Sequence, residues 1–322
     1  MRSRRIKIIG QAAVYHCICR INAQAMLLDQ RVKEVFRKQM RLMADFCGVE
    51  ILTYCLMSNH VHLLVRVPQP KLIKDSELVR RYALLYSANK GRVSFFEALL
   101  KEGGEEAEKA RNQVLARMGD VSAFMKELKQ RFSIWYNKSH RRIGTLWTER
   151  FKSLLVENSR VALMTVAAYI DLNPVRAGLC SDPKDYRFCG YAEALGGSSV
   201  ARTGIKRIAE AEDWEVASKG YRMLIFGKGA QPKEYGGGVV STEKMQEVMK
   251  AGGTLPRAVL LRCRVRYFTD GAILGSKDFV QEVFEMHRDP FGKRRRRIGR
   301  ALPGADWEGL EVFRDLRRQA IR

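Results

Sequence analysis

The stretch Tyr54-Cys-Leu-Met-Ser-Asn-His-Val-His-Leu-Leu-Val-Arg-Val67 decides how the rest of the chain reads. Side chains alternate across a strand, which rises roughly 3.3 Å per residue. His60, His62, Leu64 and Arg66 therefore share one face, while Val61, Leu63, Val65 and Val67 fill the other. Ile51 to Met57 has the same strand character, and Ser58-Asn59 makes a tight hairpin between the two. Two imidazoles side by side at the mouth of a hairpin are spaced to grip one divalent ion. A His-x-His on a strand is also a common structural pairing, so the motif alone does not assign a metal.

Outward from the hairpin, Ala12 to Ile21 reads as a strand, with Val14, His16, Ile18 and Arg20 alternating with Ala13, Tyr15, Cys17 and Cys19. Asp29 to Phe46 has Val32, Val35, Phe36, Met40, Met43 and Phe46 at helical spacing, with Gly48 just beyond. Polar helical stretches follow over 75–87 and 94–118, the second carrying the acidic run 102–108, which reads as a solvated insertion. Val121 to Asn137 is a helix with Phe124, Leu128, Phe132 and Trp135 on one stripe, and Gly144 to Val156 reads as a strand. Ser159 caps a helix that runs to Leu172 and is stopped by Asn173-Pro174. The order is β-α-β-β-α-β with one helix appended, an α+β, ferredoxin-like core whose antiparallel sheet carries its helices on one face.

Past Tyr191 the composition loosens, with Gly196-Gly-Ser-Ser199, Gly227-Lys-Gly-Ala-Gln-Pro232 and Gly236-Gly-Gly238. The expected division is a core domain over 1–191, a Gly-rich irregular linker over 192–241, and a smaller, basic, mostly helical region over 242–322. In that last region, Asp270 to Val280 reads as a turn between two helices.

Lys and Arg outnumber Asp and Glu by 58 to 35, a formal charge of +23 that favours a polyanionic partner, nucleic acid before membrane. No apolar run approaches the ~20 residues of a membrane span, and the basic N-terminus lacks the pattern of an export signal. The cysteine count of seven is odd, and no pair of Cys-x-x-Cys clusters occurs, so the thiols read as small buried hydrophobes of a reducing, cytoplasmic protein.

Tyr169 and Asn173 stand four apart, on one helical face, with the small residues Ala162, Thr165 and Ala168 nearby. Taken alone, they are better explained as an ordinary half-buried tyrosine and a helix cap before proline. Lys126, Lys129, Arg131 and Lys138, followed by Arg141 and Arg142, form a basic stretch interleaved with aromatics that suits single-stranded nucleic acid. The alternative is that Phe132 and Trp135 are core and only the cations face a ligand. Arg150 and Lys152 are further candidate phosphate contacts, and the run Lys293, Arg294, Arg295, Arg296 and Arg297 is an auxiliary electrostatic contact or a solvated tail.

Four blocks occur in order: Val14-Tyr-His-Cys-Ile-Cys-Arg-Ile21, Leu56-Met-Ser-Asn-His-Val-His-Leu-Leu-Val65, Gly144-Thr-Leu-Trp-Thr-Glu-Arg-Phe-Lys152 and Tyr169-Ile-Asp-Leu-Asn-Pro-Val-Arg-Ala-Gly178. Together they resemble the REP-associated tyrosine transposases, a branch of the single-tyrosine HUH transposases, over about residues 8–191. Cys189-Gly190 depart from that pattern, standing where hydroxyl residues are usual. The resemblance implies that His60, His62 and Asn173 hold Mg²⁺ or Mn²⁺, and that Tyr169, on the appended helix, is the nucleophile. It also implies a substrate of hairpin-forming single-stranded DNA, cut through a covalent 5′-phosphotyrosine, in a bacterial cytoplasm at the nucleoid. The chemistry is consistent, because a metal with open positions neutralises and orients a phosphodiester, and a tyrosyl ester conserves the broken linkage. Tyrosine's ordinary pKa of about 10 requires help in losing its proton, and no residue in the sequence identifies the base. Relatives act either as monomers or as homodimers that exchange tyrosines, and both arrangements stay open. Two other readings remain: a DNA-binding protein that keeps the fold without cutting, and a His-x-His zinc hydrolase, which the charge disfavours.

Overall fold

The computed structural model describes residues 5–22, 26–226, 256–262, 267–288 and 299–314. The hairpin forms as the alternation requires, from β2 (Glu50–Leu56) and β3 (His60–Val67). On the other side of β3 lies β1 (Ala13–Arg20), antiparallel, with Ile18 opposite His62 and Arg20 opposite His60. β4 (Lys152–Val156) pairs antiparallel with β1, placing Lys152 opposite Ile18. The strand order β2-β3-β1-β4 is that of the expected ferredoxin-like core.

Helix α1 (Gln30–Cys47) makes the crossover from β1 to β2, its start fixed by Asp29, whose side chain accepts from the Val32 amide. It packs on the sheet beside α5 (Val121–Ser139), burying Phe36, Met40, Phe124, Leu128 and Phe132 against Tyr15, Cys17, Leu63 and Val65. Between β3 and α5 come α2 (Asp75–Tyr86), α3 (Lys90–Glu102) and α4 (Gly104–Leu115). The single helical stretch expected over 94–118 is broken because Gly103 and Gly104 both take positive φ, at 77° and 83°.

Helices cover both faces of the sheet, not one. On the second face α6 (Arg160–Asp171), the short α7 (Asn173–Arg176), α8 (Gly190–Leu195), α9 (Ser199–Ala209) and α10 (Trp214–Phe226) pack against Val14, Leu52, Cys55, Leu64, Leu154 and Val156. The reason is visible in the strands, where residues of both parities are apolar, so either face left bare would expose a core. The appended helix of the sequence reading is therefore one of several described helices on this face.

Three further expectations are corrected. The strand expected over 144–156 is confined to 152–156, because Leu146 and Trp147 bury their side chains and the Trp147 indole donates to Ser133 Oγ on α5 at 2.9 Å. The expected irregular linker is helical as far as residue 226, and residues 227–241 lie outside the described residues. Ala201, Ile205 and Ile208 form the buried stripe of α9, and Gly204 lets that helix approach so closely that a Cβ would run into the Leu52 carbonyl. The region after 242 is helical in its described part, as expected, and it also adds three short strands to the sheet. It supplies α11 (Arg257–Leu261), α12 (Tyr267–Asp270), β5 (Gly271–Gly275), α13 (Lys277–Met286), β6 (Arg300–Ala301) and β7 (Glu311–Arg314). β5 runs parallel to β4, and β7 and β6 follow, so the described residues make one seven-stranded mixed sheet, β2-β3-β1-β4-β5-β7-β6. Ile273 enters one core and Leu274 the other, which makes the expected turn between helices a strand buried on both sides.

Candidate active site

His60 and His62 project from the start of β3 onto the face covered by α6, with ring centroids 5.1 Å apart and planes at 83°. The hairpin tip that carries them is pinned from three sides. Asn59 accepts from the Ile21 amide at 2.9 Å and Ser58 from the Leu28 amide at 3.0 Å through their carbonyls, and buried Lys33 donates to Ser58 Oγ at 3.3 Å. His60 Nδ1 is bonded to Asn59 Oδ1 at 2.6 Å.

His62 Nδ1 is bonded to Nε2 of His16 at 2.8 Å, and His16 Nδ1 donates to the Phe268 carbonyl at 2.8 Å. His16 lies on β1, opposite Leu64, and is wholly buried. Burial pushes the pKa of His16 down to about 4, with the Arg176 charge adding to the effect and the Phe268 carbonyl opposing it. The imidazole of His62 is held well below its ordinary range, first by burial and then by His16, His60, Arg176 and Arg20. Both rings are thus neutral near pH 7, and in His62 the nitrogen outside this bond is Nε2.

Tyr169 sits on α6 with its ring 6.3 Å from those of both His62 and His16. The phenol ring is only 6% exposed, packed at 4.8 Å against Phe268 and under the Arg176 guanidinium at 4.0 Å. Arg176 also donates to the carbonyls of Tyr169 at 2.5 Å and Leu261 at 2.6 Å. Asn173 is buried, and its Nδ2 donates to the carbonyls of Ile170 at 3.0 Å and Tyr169 at 3.3 Å, so the amide is oriented by its own helix turn. Asp171, between the two, is fully buried and clamps α6 to its neighbours. It accepts from Thr53 Oγ1 at 2.9 Å, from Tyr221 Oη at 2.6 Å and from the Tyr191 amide at 3.3 Å. A bulge in β2 between Ile51 and Thr53 lets both Leu52 and Thr53 serve this face. The departure at Cys189-Gly190 fits the same packing, with Cys189 Sγ capping α8 and Gly190 lying where a Cβ would meet the Thr53 backbone.

The structure therefore brings His60, His62 and Tyr169 together, with Asn173 one helix turn from the tyrosine. Among the described residues no three His, Cys, Asp or Glu side chains group as a metal cage. The donors that stand together are the imidazoles of His60 and His62, ring centroids 5.1 Å apart. Neutral, preoriented donors that leave several positions open suit Mn²⁺ or Mg²⁺ carrying phosphate oxygens, so the residues present fit such an ion.

The expected DNA contacts divide. Lys126, Lys138, Arg141 and Arg150 are exposed and outside every ion pair of the described residues. Arg131 is paired with Glu127 at 3.5 Å, and Lys129 is drawn onto the Trp147 ring, donating to the Glu149 carbonyl at 2.7 Å. Phe132 is core and Trp135 packs on it at 5.6 Å, so the α5 aromatics are structural. Helix α5 also lies on the sheet face opposite Tyr169. Lys152 is different, standing in the cross-strand row Lys152–Ile18–His62 on the tyrosine side. Arg142 is partly buried, and Lys293, Arg294, Arg295, Arg296 and Arg297 lie outside the described residues.

Sequence reasoning missed His16, Arg20 and Arg176. His16 and Arg20 share the strand parity of His60's face, a signal present in the alternation, and Arg20 is exposed directly opposite His60. Five of the six described cysteines are buried; Cys180 is half-buried and Cys263 lies outside the described residues. No helix among the described residues is long and apolar enough to cross a membrane.

Residues 11–91, about a quarter of the chain, match the family described as "Transposase IS200 like". A solved structure of a REP-associated tyrosine transposase bound to a REP hairpin is similar at 16% identity and a TM-score of 0.39, over 62% of this chain and 90% of that one. No curated protein matches the chain.

Proposed function

We propose that this chain, an IS200-like transposase over residues 11–91, cleaves and rejoins hairpin-forming single-stranded DNA through a covalent bond to Tyr169. The observation that carries the reading is the approach of Tyr169 to His62, 6.3 Å between ring centroids within one chain, from elements over 100 residues apart. A nucleophile and a pair of metal-binding imidazoles need to meet in this way only if they act on one bond.

In this reading Tyr169 Oη gives up its proton and attacks the scissile phosphorus, the bond from phosphorus to the 3′ oxygen breaks, and the departing 3′ oxygen takes up a proton, so one proton is lost and one gained. The DNA on the 5′-phosphate side stays on the protein as a phosphotyrosine, and attack by a 3′-hydroxyl reverses the step without nucleotide fuel. His60, His62 and Asn173 would hold Mg²⁺ or Mn²⁺, which when bound acts as a Lewis acid on the phosphate. Arg176 fixes the tyrosine ring from above and ties the backbone beneath it. Arg20 and Lys152 flank the two histidines on the same sheet face and would hold the phosphates of the strand. Each chain brings its own tyrosine to its own histidines, which favours action in cis.

The test is a hairpin oligonucleotide labelled at either end, incubated with Mg²⁺, Mn²⁺ or chelator and run on a denaturing gel. A 3′ label should be retained on the protein and a 5′ label released with a 3′-hydroxyl, in metal only, and neither should occur with Tyr169→Phe. Tight binding with no adduct in any metal would instead make the chain a non-cleaving DNA-binding protein.

A further inference from the structure

We infer that His16 is a positioning residue that sets the tautomer of His62, so that the lone pair on Nε2 of His62 faces the metal, and that the C-terminal segment holds His16 in place. This rests on the reading of His62 as a metal ligand. The direction of the relay follows from its far end. The Phe268 carbonyl can only accept, so His16 carries its proton on Nδ1. A neutral ring then has its lone pair on Nε2, where it can only accept from Nδ1–H of His62 at 2.8 Å. The opposite tautomer of His62 would set two lone pairs against each other across that distance. Nε2 of His62 is thereby left unprotonated, as a metal ligand must be.

The outer end of this relay belongs to a part of the chain that the N-terminal motifs do not include. Phe268 lies on α12, 252 residues after His16. The same segment touches the tyrosine half of the site, through the Phe268 ring at 4.8 Å from Tyr169 and the Leu261 carbonyl bound to Arg176. The described residues 257–262 and 267–270 thus buttress both the metal-binding and the nucleophilic side, as part of the site itself.

The experiment is long-range ¹H–¹⁵N NMR of the full-length chain without metal, with His62 assigned by its loss in His62→Asn, alongside an electron paramagnetic resonance titration of free Mn²⁺. The expected result is His62 protonated at Nδ1 and bare at Nε2. His16→Leu should move the proton to Nε2 and weaken Mn²⁺ binding by about tenfold or more, the usual scale for losing such a partner. His16→Gln, whose amide oxygen can accept from His62 Nδ1–H, should stay within about threefold of the parent. A proton on Nε2 of His62 in the parent overturns the inference. So does a His16→Leu chain with unchanged tautomer and Mn²⁺ affinity, or a His16→Gln chain no better than His16→Leu. Should His16→Leu fail to fold, the parent tautomer and the Gln variant still decide. The two readings fail separately: tyrosine-dependent adducts with His62 in the opposite tautomer would sink the relay alone. A parent chain with the expected tautomer that binds Mn²⁺, weakened as expected in His16→Leu, yet forms no adduct would sink the proposed function alone.

Discussion

His62 and Tyr169 face one another across the seam between β3 and α6, their rings 6.3 Å apart and inclined at 83°. Local contacts steady each ring, His62 through His16 and Tyr169 through Phe268 and Arg176. The separation is set by how α6 lies on the sheet, through Ala162, Val166 and Ile170 packed on Leu64, Leu154 and Val156, and through the Asp171 clamp to Thr53. Chemistry at this site is therefore coupled to packing at some distance from it.

Removing the phenol oxygen should separate cutting from binding. Tyr169→Phe deletes one atom from a ring whose packing on Phe268 and Arg176 is unchanged, so the fold should persist. Adduct formation should fall by on the order of a thousandfold or more, as expected for loss of a covalent nucleophile. Hairpin affinity, measured by fluorescence anisotropy, should change by less than about threefold, since no phosphate-binding cation is lost.

The two groups of basic residues should respond differently to salt. Arg20→Ala and Lys152→Ala each remove a cation beside the histidines. Each should reduce the slope of log affinity against log salt by about 0.7 on single-stranded DNA. Arg131→Ala should leave that slope alone, because α5 lies on the sheet face opposite Tyr169. Equal slopes for all three variants would place the strand elsewhere on the protein.

Asp171 should give the protein an unusual pH dependence. Burial pushes its carboxyl up to about 7, against the pull of the Tyr221 and Thr53 hydroxyls and the Tyr191 and Gly190 amides. Its ordinary value is 3.8, so the unfolded chain loses the proton first as pH rises. Stability from this group is greatest below about pH 4 and is lost towards pH 7, by on the order of 4 kcal/mol. His16 acts in the opposite sense, since its lowered pKa removes stability as pH falls from 6.5 towards 4. The measurement is therefore a difference: urea-unfolding free energies of Asp171→Asn and the parent, compared from pH 4.5 to 7.5. The gap between them should change in the variant's favour as pH rises.

Gly204→Ala tests the close approach of α9. The added methyl would meet the Leu52 carbonyl, which is strand backbone and cannot swing aside. A loss of about 1–3 kcal/mol is expected, as for other overpacked cores, read as a lowered melting temperature. An unchanged melt would mean that α9 sits further from β2.

The central hairpin and the histidine pair were legible because a strand's two-residue period needs only neighbours to be read. The helix that carries Tyr169 and its end at Asn173 were legible through helical spacing and the proline, and α1 and α5 through their apolar stripes. His16 was not, although its parity was right, because its partners His62 and Phe268 lie 46 and 252 residues away. The strand at Gly271–Gly275 escaped for a related reason. Five residues bounded by glycines look like a turn until β4 and β7 are placed on either side. The second helical layer was hidden by the Gly196-Gly-Ser-Ser199 stretch, which read as looseness, while the close contact that Gly204 permits shows only once β2 is beside it.

The hydrogen bond between His16 and Phe268 also orders events during translation. A ribosome adding roughly 5–20 residues per second needs about 10–50 s to travel from one to the other. Throughout that interval the nascent β4 has an unpaired border where β5 will dock, and the first imidazole of the relay has no acceptor. Cutting competence therefore arrives late, after the DNA-seeking charge of the earlier segments has already emerged, and a message truncated before codon 268 encodes a binder without a finished blade.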